Sequence, residues 1–224
     1  MTGAGGTSRW GRQPGDISPP RGLLRDVNAD DATMNAKVRA TLRADPTMRR
    51  LVERYGRVTV APASDPFRRL IRSIVSQQVS TASAEAIRGR LFEEFRITPA
   101  GIEAADPDAL RAVGLSRQKV EYVKAVAAAH RDGRIDRDRF AEMDNAAVAE
   151  ALTDVRGVGP WTAKMYLLFC LGREDVFPVE DLGIRNAMQE LYGTEMDRSA
   201  MMEHAEQWAP YRSYASRYLW QTQD

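Results

Sequence analysis

One cysteine and two histidines in 224 residues leave little material for metal or redox chemistry. Cys170 is alone, so it can form neither an internal disulfide nor a cysteine-ligated cluster. Its place on an apolar helical stretch reads as a buried thiol acting as a small hydrophobe. His130 and His204 lie far apart and match no zinc spacing. Long apolar runs are also missing. None could cross a bilayer, and the start lacks the apolar centre of a signal peptide, so a soluble intracellular protein without membrane contact is expected. A basic surplus is absent too: 32 Lys and Arg stand against 31 Asp and Glu, for a net charge of +1. Phosphate contact normally shows as such a surplus. A nucleic-acid binder of this composition would need a local basic face together with backbone amides.

With 43% apolar residues the chain is globular by composition. Residues 1–28 are the exception. They are rich in Gly, Pro, Ser and Arg, lack helical periodicity and read as a flexible, mildly basic tail. Beyond it come helix signals with hardly a strand among them. Met34, Val38 and Leu42 share a helical face, and Asp45-Pro46 ends that segment and caps the next. Asp65-Pro66, Thr98-Pro99, Asp106-Pro107 and Ser116 have the form of helix starts, and Gly114, Gly133, Gly172 and Gly193 stand where helices should stop. Val58-Thr59-Val60 is too short to found a sheet. The expected fold class is all-α.

Leu152 to Phe169 is the most telling segment. A helix ends, the backbone turns through Gly157-Val158-Gly159, and Pro160 takes the first position of a new helix, where its missing N–H costs nothing. This predicts a helix-hairpin-helix over about 148–171. Two glycines without side chains, next to the positive end of a helix dipole, leave amides open to an anion and above all to a phosphate. An ordinary helix cap followed by a turn would read the same way. Twenty residues after Trp161, the block Val176-Phe177-Pro178-Val179-Glu180-Asp181-Leu182 places a carboxylate just before another helix. N-capping is the common use of such an aspartate.

Hairpin and block together resemble the helix-hairpin-helix superfamily of DNA glycosylases. The resemblance extends back through Leu70 to Ser80, with its Ser76-Gln77-Gln78-Val79-Ser80 loop, and through Ala105 to Leu115, and forward through Trp208 to Ala215. Within the superfamily the chain is most similar to the DNA-3-methyladenine glycosylase II group, in a compact form without that group's additional N-terminal sheet domain. The resemblance implies two helical domains with the active-site cleft between them: 65–175 carrying the hairpin, and 29–64 joined with 176–224.

It further implies that Asp181 is the catalytic carboxylate, stabilising positive charge on the sugar as the base departs. The position of the Schiff-base lysine used by strand-cutting members holds Trp161, so hydrolysis of the base alone is expected. Trp161 and Trp220 would stack on the flipped base, with Met165 where a relative has tyrosine, and core packing is the competing reading of each. Cationic alkylated purines suit an electron-rich indole wall. Lys164 is expected to face elsewhere on its helix. Gln78, with Gln77, would fill the gap left in the stack, although a solvated polar loop has the same sequence. The amides of Gly157, Gly159 and Thr162 would hold the DNA backbone. The carbonyls of Thr153, Val155 and Val158 would hold a Na⁺ or K⁺ ion.

No cofactor is required on this reading, and the single cysteine rules out the iron-sulfur cluster of some members. The expected partner is double-stranded DNA with damaged bases, bound by a monomer in the cytoplasm if bacterial or the nucleus if eukaryotic. Two rivals remain: a non-catalytic DNA-gripping hairpin protein, and a same-fold glycosylase for a neutral base such as hypoxanthine or uracil.

Overall fold

The computed structural model describes residues 36–193 and 196–223. The expected tail at 1–28 and the contribution of Met34 lie outside them. Among the described residues thirteen α-helices and one 3-10 turn follow one another, and no strand occurs. In chain order the helices are α1 (Ala36–Ala44), α2 (Pro46–Tyr55), α3 (Pro66–Ser76), α4 (Thr81–Glu94), α5 (Pro99–Ala104), α6 (Pro107–Ala112) and α7 (Arg117–Arg131). They continue with α8 (Arg137–Ala141), α9 (Asn145–Thr153), α10 (Pro160–Phe169), α11 (Leu182–Tyr192), α12 (Arg198–Ala205), the 3-10 turn Glu206–Trp208, and α13 (Arg212–Gln221).

The local signals explain the boundaries. Asp45, Asp65, Thr98, Asp106 and Ser116 each accept a hydrogen bond from a first-turn amide of the helix that follows. Such a cap contributes about 1 kcal/mol. Gly114, Gly133, Gly172 and Gly193 all adopt positive φ just past a helix end, where a side chain would be strained.

The helices pack in two groups. α3, α4 and α5 to α10 surround one another, with α3 against α4, α7 and α10, and α9 against α10. α1 and α2 pack with α11, α12, the 3-10 turn and α13. Asp45 ties the second group together: its Oδ2 accepts from Tyr192 Oη at 2.5 Å and from Trp208 Nε1 at 3.1 Å. In the first group α3 buries Leu70, Ile71, Ile74 and Val75 almost completely, each burial contributing about 1.5–3 kcal/mol. α3 and α10 run antiparallel, since Gln77 after α3 meets Thr162 while Pro66 meets Cys170 at the other end. That arrangement puts the loop at 77–80 beside the turn between α9 and α10.

Candidate active site

The α9–α10 turn is built as the glycines require. Val158 N–H closes it on Val155 O at 2.9 Å, and Gly157 has φ +91°. A Cβ on Gly157 would overlap the Tyr122 ring, so both backbone and packing demand glycine. Gly159 differs. Its φ of −94° suits any residue, and a Cβ there would meet nothing within 4 Å. Glycine therefore serves no internal purpose at 159 and leaves space outside the helix end. No side chain caps α10, and the N–H groups of Gly157 and Gly159 find no acceptor among the described residues. A cleft of about 650 Å³ opens against these groups, lined among others by Gln78, Tyr122, Gly157, Gly159 and Trp161.

Asp181 lies behind Trp161, fully buried. It is the N-cap of α11, its Oδ1 accepting from Ile184 N–H at 3.0 Å. Two indoles hold the rest of the carboxylate: Trp220 Nε1 donates to Oδ1 at 2.9 Å and Trp161 Nε1 to Oδ2 at 2.8 Å. Burial pushes the Asp181 carboxyl up to about 6, and the hydrogen bonds from Trp220, Trp161 and the α11 amides oppose that rise. The result is a carboxylate ionised at neutral pH yet poorly solvated, with Oδ2 on the Trp161 side keeping the larger unused acceptor capacity.

Several expected site residues stand elsewhere. Trp220 is 2% exposed, and Phe169 is stacked on its ring at 5.6 Å. It therefore offers Asp181 an N–H rather than offering a base a π face. Met165, one turn along from Trp161 on the same face of α10, is 1% exposed, packs in the core and is not part of the cleft lining. Gln77 is not free to enter a base stack. Its Nε2 donates to Gly157 O at 2.9 Å and Thr162 Oγ1 at 3.0 Å, bolting the loop to the hairpin. Lys164, one turn along from Trp161, does reach the site: Nζ lies 2.9 Å from both carboxylate oxygens of Glu180. Both contacts tie its ammonium to Glu180.

Other placements agree with the expectation in position. Trp161 lines the cleft at 8% exposure. Gln78 is exposed on the cleft rim with φ +54°, the sole positive-φ residue other than glycine among the described residues. Strain of this kind, about 1–3 kcal/mol, is kept where surroundings hold a side chain in a set direction. Lys119 had gone unnoticed in the sequence. Its Nζ donates to Val75 O at 2.6 Å, closing the end of α3 just below the loop, and burial lowers its amine to about 8.

A buried, helix-capping carboxylate set twenty residues past a glycine hairpin, on an all-helical scaffold, defines a class of base-excision repair protein. The chain belongs to the HhH-GPD superfamily of base excision DNA repair proteins, which it matches over residues 71–211. It is 36% identical over 169 residues to DNA-3-methyladenine glycosylase 1 of Schizosaccharomyces pombe, covering 70% of this chain and 72% of that protein. DNA-3-methyladenine glycosylase 2 of Escherichia coli is 29% identical over 171 residues, 71% of this chain and 58% of that protein. Among solved structures, the Schizosaccharomyces pombe 3-methyladenine DNA glycosylase in complex with abasic DNA matches with a TM-score of 0.76 and 32% identity, over 84% of this chain and 96% of that one.

Proposed function

We propose that this chain is a monofunctional DNA glycosylase that hydrolyses the N-glycosidic bond of alkylated purines of the 3-methyladenine and 7-methylguanine type in duplex DNA, the first step of base-excision repair. The observation that carries this reading is Asp181: an ionisable carboxylate sealed from water, held by two indole N–H groups beside a hairpin with open amides. A protein that only grips DNA has no use for that arrangement.

In this reading the amides of Gly157, Gly159 and Thr162 bind a DNA phosphate, and Gln78 enters the stack where the damaged nucleotide leaves it. The flipped base meets the Trp161 indole at the cleft wall. Displacement of that ring frees Oδ2 of Asp181 to face the anomeric carbon. Positive charge develops on the sugar as the C–N bond breaks. A buried carboxylate stabilises that charge more than it does the uncharged sugar of the ground state, because no water has to be reorganised. A purine alkylated at N3 or N7 is already cationic and departs without a protein acid, in keeping with a site that offers one carboxylate. Lys164, paired with Glu180, takes no part as a nucleophile, so an abasic site is the product.

The carbonyls of Thr153, Val155 and Val158 fit a monovalent cation. All three residues line the cleft, and neutral oxygens suit Na⁺ or K⁺. The oxygens of Thr153 and Val158 receive no backbone N–H among the described residues. A bound cation would add positive charge opposite a DNA phosphate. We assign 65–175 and 29–64 with 176–224 as the two helical domains, of which 29–35, 194–195 and 224 lie outside the described residues, and a monomer as the working unit.

The test is base release from duplexes that each carry one lesion, under single-turnover conditions. Release of 3-methyladenine and 7-methylguanine ahead of hypoxanthine and uracil supports the reading. Preference for a neutral base would move the protein to another glycosylase specificity, and binding without release of any base would make it a non-catalytic hairpin protein.

A further inference from the structure

Two adjacent glutamines in the loop after α3 have opposite surroundings. Gln77 is half-buried, and its Nε2 donates to Gly157 O at 2.9 Å and to Thr162 Oγ1 at 3.0 Å. A carbonyl oxygen can only accept, so the side-chain amide must turn its N–H₂ towards the hairpin. Gln78 is exposed and sits at φ +54°, a conformation that is costly for a residue with a side chain. Both residues line the cleft that Gly157, Gly159 and Trp161 also line.

The two ends of the loop are fastened separately. At its start Lys119 Nζ donates to Val75 O at 2.6 Å, and at its end Ser80 Oγ accepts from Ser83 N–H at 3.2 Å as the N-cap of α4. Neither contact reaches the hairpin. Among the described residues the loop's hydrogen bonds to the hairpin are the two from Gln77. They land on Gly157 and Thr162, whose own backbone amides the functional reading gives to a DNA phosphate. Strain at Gln78 persists only while its surroundings hold it, and two hydrogen bonds made by the preceding side chain are of the size needed to offset it. Without them the backbone at 77–78 can relax to an unstrained φ, and the Gln78 side chain loses its set direction.

We propose that Gln77 is the positioning residue for base flipping: by tying the loop to the phosphate-binding hairpin, it holds Gln78 in the direction in which that side chain enters the base stack. Gln77 acts through Gln78 and not on the base. A phosphate seated on the Gly157 and Thr162 amides then fixes, through one side chain, where the gap-filling residue stands relative to the DNA backbone. The proposal rests on the functional reading above, in which Gln78 fills the gap left by the flipped nucleotide.

The full-length protein is added to a duplex carrying one 2′-fluoro-7-methyl-2′-deoxyguanosine, whose glycosidic bond the fluorine protects, beside a 2-aminopurine that brightens when its stacking neighbour leaves. The flipping equilibrium is read at saturating protein for wild type, Gln77→Met, Thr162→Val, Gln78→Ala and the Gln77→Met/Gln78→Ala double variant. Methionine keeps the length of glutamine and valine the shape of threonine, so both variants are expected to fold, as circular dichroism checks. Gln77→Met should lower the flipping constant about tenfold and Thr162→Val about threefold. Adding Gln77→Met to Gln78→Ala should cause no further loss, since the first acts through the second. Affinity for undamaged duplex, in which nothing is flipped, should stay as in wild type. With Gln78→Ala still lowering the signal, the proposal is overturned by flipping left unchanged in Gln77→Met, or in Thr162→Val should the methionine variant not fold. Losses that multiply in the double variant, or a fall in undamaged-duplex affinity equal to the fall in flipping, overturn it as well. No lesion-dependent signal from wild type, or a Gln78→Ala variant equal to wild type, would show instead that the functional reading of this loop is wrong, and the proposal falls with it.

Discussion

Trp220→Phe isolates the physical device that keeps Asp181 ionised. The substitution retains an aromatic ring against Phe169 and deletes the N–H that reaches Oδ1 at 2.9 Å. A hydrogen bond to a charged group contributes about 1.5–3 kcal/mol, equivalent to roughly 1–2 pK units. The Asp181 carboxyl, already raised to about 6 by burial, should therefore titrate at roughly 7–8 in the variant. At pH 7 its ionised fraction falls from about nine-tenths to between about a half and a tenth. On the proposed mechanism only the carboxylate stabilises the sugar cation, so the acid limb of base release should move up by the same interval. The variant should be about 2–10 times slower at pH 7 and converge on wild type near pH 9. The assay is single-turnover release from one alkylated duplex at successive pH values, both proteins on the same substrate so that titration of the lesion cancels. Melting temperature at pH 9 monitors the cavity left by the smaller ring. An acid limb at the same pH in both proteins, or a loss uniform across pH, would refute the claim that the indole holds the carboxylate in its charged form.

Gly157→Ala and Gly159→Ala should separate scaffold from ligand contact. The first forces Cβ into the Tyr122 ring at positive φ and should lower stability by about 2 kcal/mol or more in urea unfolding. The second should fold normally and lose about tenfold in duplex affinity, since its methyl stands where a phosphate oxygen approaches; unchanged affinity would remove the hairpin from the DNA contact. Borohydride added during base release should trap no covalent complex, and a stoichiometric adduct that disappears in Lys164→Gln would overturn the hydrolytic mechanism. Stability should also carry the mark of Asp181. Its folded-state carboxyl is raised, so the folded protein binds this proton more readily than the unfolded chain. Wild type should therefore gain about 3 kcal/mol relative to the non-titrating Asp181→Asn as pH falls from above 6 towards 4; a urea-midpoint difference constant over that window would contradict the burial argument.

Helix starts and stops were legible because caps act through neighbours in sequence: Asp65-Pro66, Ser116 and Gly193 need only the next turn to do their work. The hairpin was legible for the same reason. Contacts that define the site are not local, and no spacing encoded them. Trp220 bonds to a carboxylate 39 positions away, and whether an indole presents its face or its N–H is decided by what stacks on it. Gln77 reads as a polar loop residue until its partners, 80 and 85 positions on, come beside it. Met165 shares the helical face of Trp161 yet is buried, because α10 buries eight of its ten residues and a place on the cleft face does not by itself bring a side chain to the cleft. Lys164 was misplaced for want of the Glu180 contact. The dual character of Asp181, helix cap and buried acid together, shows that the two readings of one aspartate need not compete.

The most direct measurement is single-turnover release of 3-methyladenine from duplex DNA by Asp181→Asn, alongside equilibrium binding of the same duplex. Asparagine keeps the size and the bonds to Ile184 and Trp220 but turns an amide N–H₂ towards the Trp161 N–H, so one site hydrogen bond is lost along with the charge. The account predicts a fall in release rate on the order of a hundredfold or more, with lesion-DNA affinity within a few fold of wild type. Release at near wild-type rate from a correctly folded variant would reduce Asp181 to a helix cap and remove the catalytic centre described for this protein.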